Sequence, residues 1–227
     1  NGDAIDLSSC KNAIVYRCTV HAGDAGICMK SSGGKNTEEA GLQNIIIADC
    51  IVYHAHGGFV IGSNTDGGMQ NVYVTNCNFI NTDVGIRIKS ARDRGGLVHN
   101  IYVDSVYMHD ILNEAILFNT YYEDARPGAE TQKFAVTGKT PRFEDFYISH
   151  IYCSGAKTAI AITGLPEMPI SKLYFSNMII SADKPVFMTE ASNINLSNVS
   201  ILSPGKTLFT LDNAAGIKLD NISFKAG

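Results

Sequence analysis

Asp3, Asp24, His56, Arg87 and Lys89 carry most of the chemical possibilities of this 227-residue chain. Two carboxylates can divide the work of general acid and general base. An imidazole exchanges protons near neutral pH, and a guanidinium beside an ammonium grips an anion. Together these groups suit acid–base cleavage of a negatively charged substrate. Singly, each has an ordinary explanation: aspartates form turns, a lone histidine is commonly structural, and an Arg-x-Lys pair is usually the solvated face of a strand. Only a fold that brings the five together gives them a shared role.

An internal repeat supplies that fold. The segments AIVYRCTV, IIIADCIV, VYVTNCNF, IYVDSVYM, FYISHIYC, LYFSNMII, INLSNVSI and IKLDNISF begin near Ala13, Ile45, Val72, Ile101, Phe146, Leu173, Ile194 and Ile217 and align without internal gaps. Cys18, Cys50, Cys77, Val106, Ile151, Met178, Val199 and Ile222 form a reference column. Apolar columns lie five and three residues before it and two after it. That alternation marks strands with one buried face, and the one-residue slip in phase marks a bend. The bend carries Arg17, Asp49, Asn76, Ser105, His150, Asn177, Asn198 and Asn221, mostly residues that tolerate left-handed backbone. A further strand follows, with Ile27/Met29, Phe59/Ile61, Ile86/Ile88 and Ala115/Leu117 expected inward.

Successive reference positions are 32, 27, 29, 45, 27, 21 and 23 residues apart, one solenoid coil plus loops of varying length. The reading is an all-β chain forming a right-handed parallel β-helix over residues 1–227 as a single domain. A loop excursion over 119–143 is expected near the functional face, since long unpatterned loops often wall a site.

Stacking then turns sequence distance into proximity. Equal positions in neighbouring coils lie roughly 4.8 Å apart. Asp24, His56 and Asp83 fall in one column, Asp83 reading more as a turn residue or one supporting the site from behind, and Lys30 stands above Lys89 two coils away. Aligning Ile5 and Leu7 with Ile27 and Met29 places Asp3 over Ala25, beside Asp24.

Composition agrees with a strand-rich chain: 45% hydrophobic, 18% charged, 21 Gly and no Trp. The net charge of −4 recommends neither nucleic acid nor an anionic membrane, and no apolar run is long enough to cross a bilayer. Six cysteines show no CxxC pair or zinc spacing, so neither a metal nor a cofactor is expected, and their redox state is open.

At these residues the sequence resembles family 28 glycoside hydrolases, the polygalacturonases. That family carries NTD, GDD, GHG and RIK in fixed order; here they read Asn1-Gly2-Asp3, Gly23-Asp24-Ala25, Ala55-His56-Gly57 and Arg87-Ile88-Lys89, with Tyr122-Glu123-Asp124 as a fifth match. The resemblance implies inverting hydrolysis of α-1,4-linked galacturonate in pectin. It also implies roles: Asp24 the acid, Asp3 a water-activating base, His56 supporting the acid, Arg87 and Lys89 gripping the substrate carboxylate, and Tyr122 contacting the sugar. Arg92 and Arg94 extend that grip. An extracellular or periplasmic location is implied as well.

Two departures stand out. Ala25 replaces the second base, which should impair turnover. Relatives carry further coils before the first motif, so an absent amino-terminal half or a partner chain is expected. A carbohydrate-binding β-helix without turnover is the main alternative, and a calcium-dependent pectate lyase a lesser one.

Overall fold

The computed structural model describes residues 2–33, 40–122 and 132–226. They form eighteen strands in one continuous sheet system and no helix. Every pairing between the strands is parallel, and the wrapped order makes a right-handed parallel β-helix.

The columns read from sequence are the interior. Ile45, Val72, Ile101, Phe146, Leu173 and Ile194 are fully buried and pair coil to coil in the expected register. All eight residues at the bend adopt positive φ, between 49° and 57°. Their side chains form a ladder along the edge: Asn221 donates to Asn198 at 2.7 Å, Asn198 to Asn177 at 3.1 Å and Asn76 to Asp49 at 2.7 Å. Each amide thus satisfies a polar atom of the coil before it and lowers the cost of the left-handed backbone. A second corner, six residues before the reference column, repeats the device: Asn71 donates to Asn44 and Asn44 to Asn12 at 3.1 and 2.9 Å, all three at positive φ.

One register differs from the sequence expectation. In the fourth coil Ile116 and Phe118, not Ala115 and Leu117, pair with Ile86 and Ile88; Ala115 is buried in the core as expected, but Leu117 is not. The connection after His109 is one residue longer than its predecessors, so the strand slips by one position: Leu117 leaves the interior, while Ala115 takes the inward place of Gly85 at the bend. Leu117 therefore lies beside Arg87 on the outer surface. Alongside, the expected excursion is shorter: Arg142–Phe143 is a strand that pairs with Leu97 and Val98, and residues 123–131 lie outside the described residues. The six cysteines are free thiols, with Cys50, Cys77 and Cys153 packed in the interior.

Candidate active site

One face of the helix carries the candidate residues, built from strands Ile5–Ser8, Ala25–Lys30, Gly57–Ile61, Ile86–Lys89 and Glu114–Asn119 stacked side by side. At their start the chain makes a tight bend that places two successive residues inward. A Cβ on Gly26 would lie 2.3 Å from Val52, and one on Gly58 would lie 2.2 Å from the Phe79 ring. With glycine taking the inward place at the bend, positions 25 and 57 turn outward although they share parity with the buried Ile27 and Phe59. Ala25 packs with the outward Cys28 and Val60, so the position of the absent second carboxylate does face this surface. Gly57 lets Val60 lie against it, since an added Cβ would come 2.5 Å from Val60 Cγ2, while the Arg87 Cβ and Cδ would stand at ordinary contact distances of 3.4 and 3.7 Å. Ala55, in the place of the first Gly of GHG, is buried in the interior at an ordinary φ and causes no conflict there.

Asp3 sits over Ala25 as the register expects. Its Oδ1 accepts the Ala25 amide at 3.0 Å and its Oδ2 accepts Lys30 Nζ at 2.6 Å, while Lys30 also holds Asp6 at 2.7 Å. Burial pushes the Asp3 carboxyl up, but the Lys30 ammonium and the Ala25 amide outweigh it and hold the group below the usual carboxylate range. Burial opposes the Lys30 charge too, yet its two carboxylate partners raise it above the ordinary lysine value. Asp3, Asp6 and Cys28 have the spacing of metal ligands, but the Lys30 ammonium already lies on both carboxylates.

The column Asp24–His56–Asp83 is also formed. His56 Nδ1 is 3.5 Å from Asp24 and Nε2 is 3.7 Å from Asp83, a carboxylate at each ring nitrogen. Asp83, read from sequence as a turn residue or as one supporting the site from behind, stands beside His56, which agrees with the second of these. All three are partly exposed, open to a ligand.

Arg87 Nη1 donates to the His56 carbonyl at 3.5 Å, and its Nε is buried with no partner among the described residues. Lys89 is pulled below its ordinary value by burial and then by the neighbouring Arg87 charge. Its Nζ stands 4.8 Å from the centre of the Tyr122 ring, and the Arg94 guanidinium 5.6 Å from the same ring. Arg94 also donates to Ser63 Oγ at 3.0 Å. Asn1, Glu123 and Asp124, the remaining motif positions, lie outside the described residues.

Arg92 is placed differently from Arg94. Its guanidinium forks onto Glu167 at 2.7 and 3.0 Å, so the chain's own carboxylate occupies the groups expected to meet substrate. Two contributors escaped sequence reading. Glu167 lies in a turn after Thr158–Thr163, with no signal linking it to Arg92, 75 residues earlier. Glu114 is lifted by burial above the ordinary glutamate value against the pull of Arg87 and Lys157, and it reaches that neighbourhood only through the one-residue slip.

The chain is similar to known proteins. An exo-poly-α-D-galacturonosidase of Dickeya chrysanthemi is 28% identical over 206 residues, 88% of this chain and 34% of that protein. Among solved structures, the fold matches an exopolygalacturonase of Thermotoga maritima with TM-score 0.74 at 23% identity, covering all of this chain and 45% of the other. It also matches a family 28 exopolygalacturonase of Yersinia enterocolitica with TM-score 0.82 at 18% identity, covering 96% and 39%. The chain thus spans about a third of the length of that curated relative. The family model for glycosyl hydrolases family 28 matches residues 1–197, through every coil that bears the candidate site, and the chain belongs to that family.

Proposed function

We propose that this chain supplies the catalytic face of a polygalacturonase, hydrolysing α-1,4-galacturonosyl bonds with inversion. The carrying observation is the succession on neighbouring coils of a carboxylate, a carboxylate–imidazole–carboxylate row and two cations, with the Arg87 Nε–H buried and without an acceptor among the described residues. A buried donor left unpaired is costly, and a uronate carboxylate lying on Arg87 and Lys89 satisfies it. Anion binding also offsets the burial that disfavours the Lys89 charge.

In this reading Asp24 protonates the departing glycosidic oxygen, with His56 and Asp83 holding the proton inventory beside it. Asp3 orients the water. A carboxylate stabilised by Lys30 and an amide is a weak base, because what lowers its proton affinity lowers its pull on the water proton. Asp3 alone therefore turns over slowly, and Ala25 is the place where the missing help belongs. The relatives' names, an exo-poly-α-D-galacturonosidase and a polygalacturonase, support galacturonan as the substrate, and secretion suits an enzyme that meets it outside the cell.

Ala25 itself favours a second reading: a β-helix that binds oligogalacturonate without cleaving it. Reducing ends released from polygalacturonate, measured for the protein carrying this chain and for Ala25→Asp, decide between them. A gain of at least about tenfold on restoring the carboxylate is expected, since a positioned base contributes roughly 10²–10⁴-fold. Binding by both forms with release by neither supports the binding module. Failure of both to bind galacturonate ends the proposal.

A further inference from the structure

Beside the candidate site stands an ion pair that the acid–base reading leaves unused. Arg92 Nε and Nη2 donate to the two oxygens of Glu167 at 2.7 and 3.0 Å, a fork-on-fork pairing with geometric as well as electrostatic strength. The Glu167 side chain is only 4% exposed, so a soluble anion would have to displace a nearly buried carboxylate to reach these nitrogens. Burial pushes the Glu167 carboxyl up, but Arg92 outweighs it and holds the group ionised below the ordinary range. The guanidinium also lies 4.4 Å from the Phe134 ring and 5.6 Å from that of Tyr121.

Glu167 is a fixed point. Its turn is closed by an antiparallel bridge between Leu165 and Met168, and Leu165 is fully buried. Gly164 runs so close to the next coil that a Cβ would lie 2.1 Å from the Glu190 carbonyl oxygen. Thr120, just before the tyrosines, is tied to the same place, its amide and hydroxyl both donating to the Thr163 carbonyl at 3.0 and 3.1 Å. Tyr122 follows at φ 54°, a conformation bulky residues seldom adopt and one that the surroundings must hold.

We infer that Arg92 and Glu167 are positioning residues: anchored on its turn, Glu167 holds the Arg92 guanidinium against Tyr121 and so keeps the Tyr122 ring against Lys89 and Arg94, assembling one wall of the sugar site. The inference rests on reading this face as a galacturonate site. It also removes Arg92 from the groups that touch substrate. Arg94 is left as the arginine of that segment beside Tyr122.

Calorimetric titration with trigalacturonate tests it in the protein carrying this chain, with Tyr122→Ala, Glu167→Gln and the double variant alongside. Each single change is expected to weaken binding roughly tenfold, and the double no more than the worse single, because Gln at 167 has already removed what Tyr122 contributes. Losses that add, or unchanged binding by Glu167→Gln, overturn the inference. Should Glu167→Gln fail to fold, Arg92→Lys keeps the charge without the fork and is read in the same way. Binding that needs Lys89 but not Glu167 overturns the inference alone, whereas no binding by the unsubstituted protein overturns the galacturonate reading and the inference with it.

Discussion

Asp3 shows how a single side chain is tuned by what the solenoid stacks beside it. Two donors, the Lys30 ammonium and the Ala25 amide, bind the charged form, and burial works against them. Removing the ammonium leaves burial with less opposition. In Lys30→Met the Asp3 carboxyl is therefore expected to titrate at higher pH than in the unsubstituted chain, by carbon-detected NMR of the side-chain carboxyl. An unchanged titration would show that Lys30 does not control the Asp3 carboxyl. Ala25 carries the complementary lesson: the backbone turns it toward the site, so what is absent there is a carboxylate and not the geometry to present one.

At the scale of the element, the corner asparagines do the shaping. Asn198 donates to Asn177 and accepts from Asn221 while holding φ 54°. Asn198→Ala loses both bonds and leaves a Cβ in left-handed backbone, so it is expected to cost about 2 kcal/mol in urea unfolding. Asn198→Gly loses the bonds but not the backbone freedom and should cost less. Equal losses would mean that the ladder, and not the backbone, dominates. The exposed Tyr102 and Tyr147 and the half-buried Tyr174 also follow from stacking, with rings 4.8–4.9 Å apart and within 8° of parallel. Their faces are turned toward one another, which leaves edges for solvent and makes the stripe a stabilising ladder rather than a sugar platform.

Across the whole molecule, acid is the expected weakness. Asp3, Asp104, Glu144 and Glu167 are all held below the ordinary range. In each, burial is overcome by partners: Lys30 for Asp3, Ser149 and His150 for Asp104, Lys172 and Arg142 for Glu144, Arg92 for Glu167. A carboxyl depressed in the folded state contributes stability that is present above its unfolded pKa and is lost as pH falls through the folded one. Glu114 runs the other way, being raised, so its stabilising contribution belongs to lower pH. With four against one, the urea midpoint is expected to fall between pH 6 and pH 3. A midpoint that rises over that range would mean these pairs do not form in solution.

Local pattern was enough to determine the coil. The apolar columns, the bend and its asparagines recur at fixed offsets, and a repeat whose units touch only their neighbours leaves little for distant contacts to decide. Asp3, Asp24, His56, Arg87 and Lys89 were legible for the same reason, since stacking converts offset into place. Tertiary structure alone decided the rest. The slip that sends Ile116 and Phe118 inward depends on how the connection after His109 is taken up. Pairing of Arg92 with Glu167 crosses loops of unequal length, where no periodicity operates and a side chain's partner is set by how the loops fold over one another.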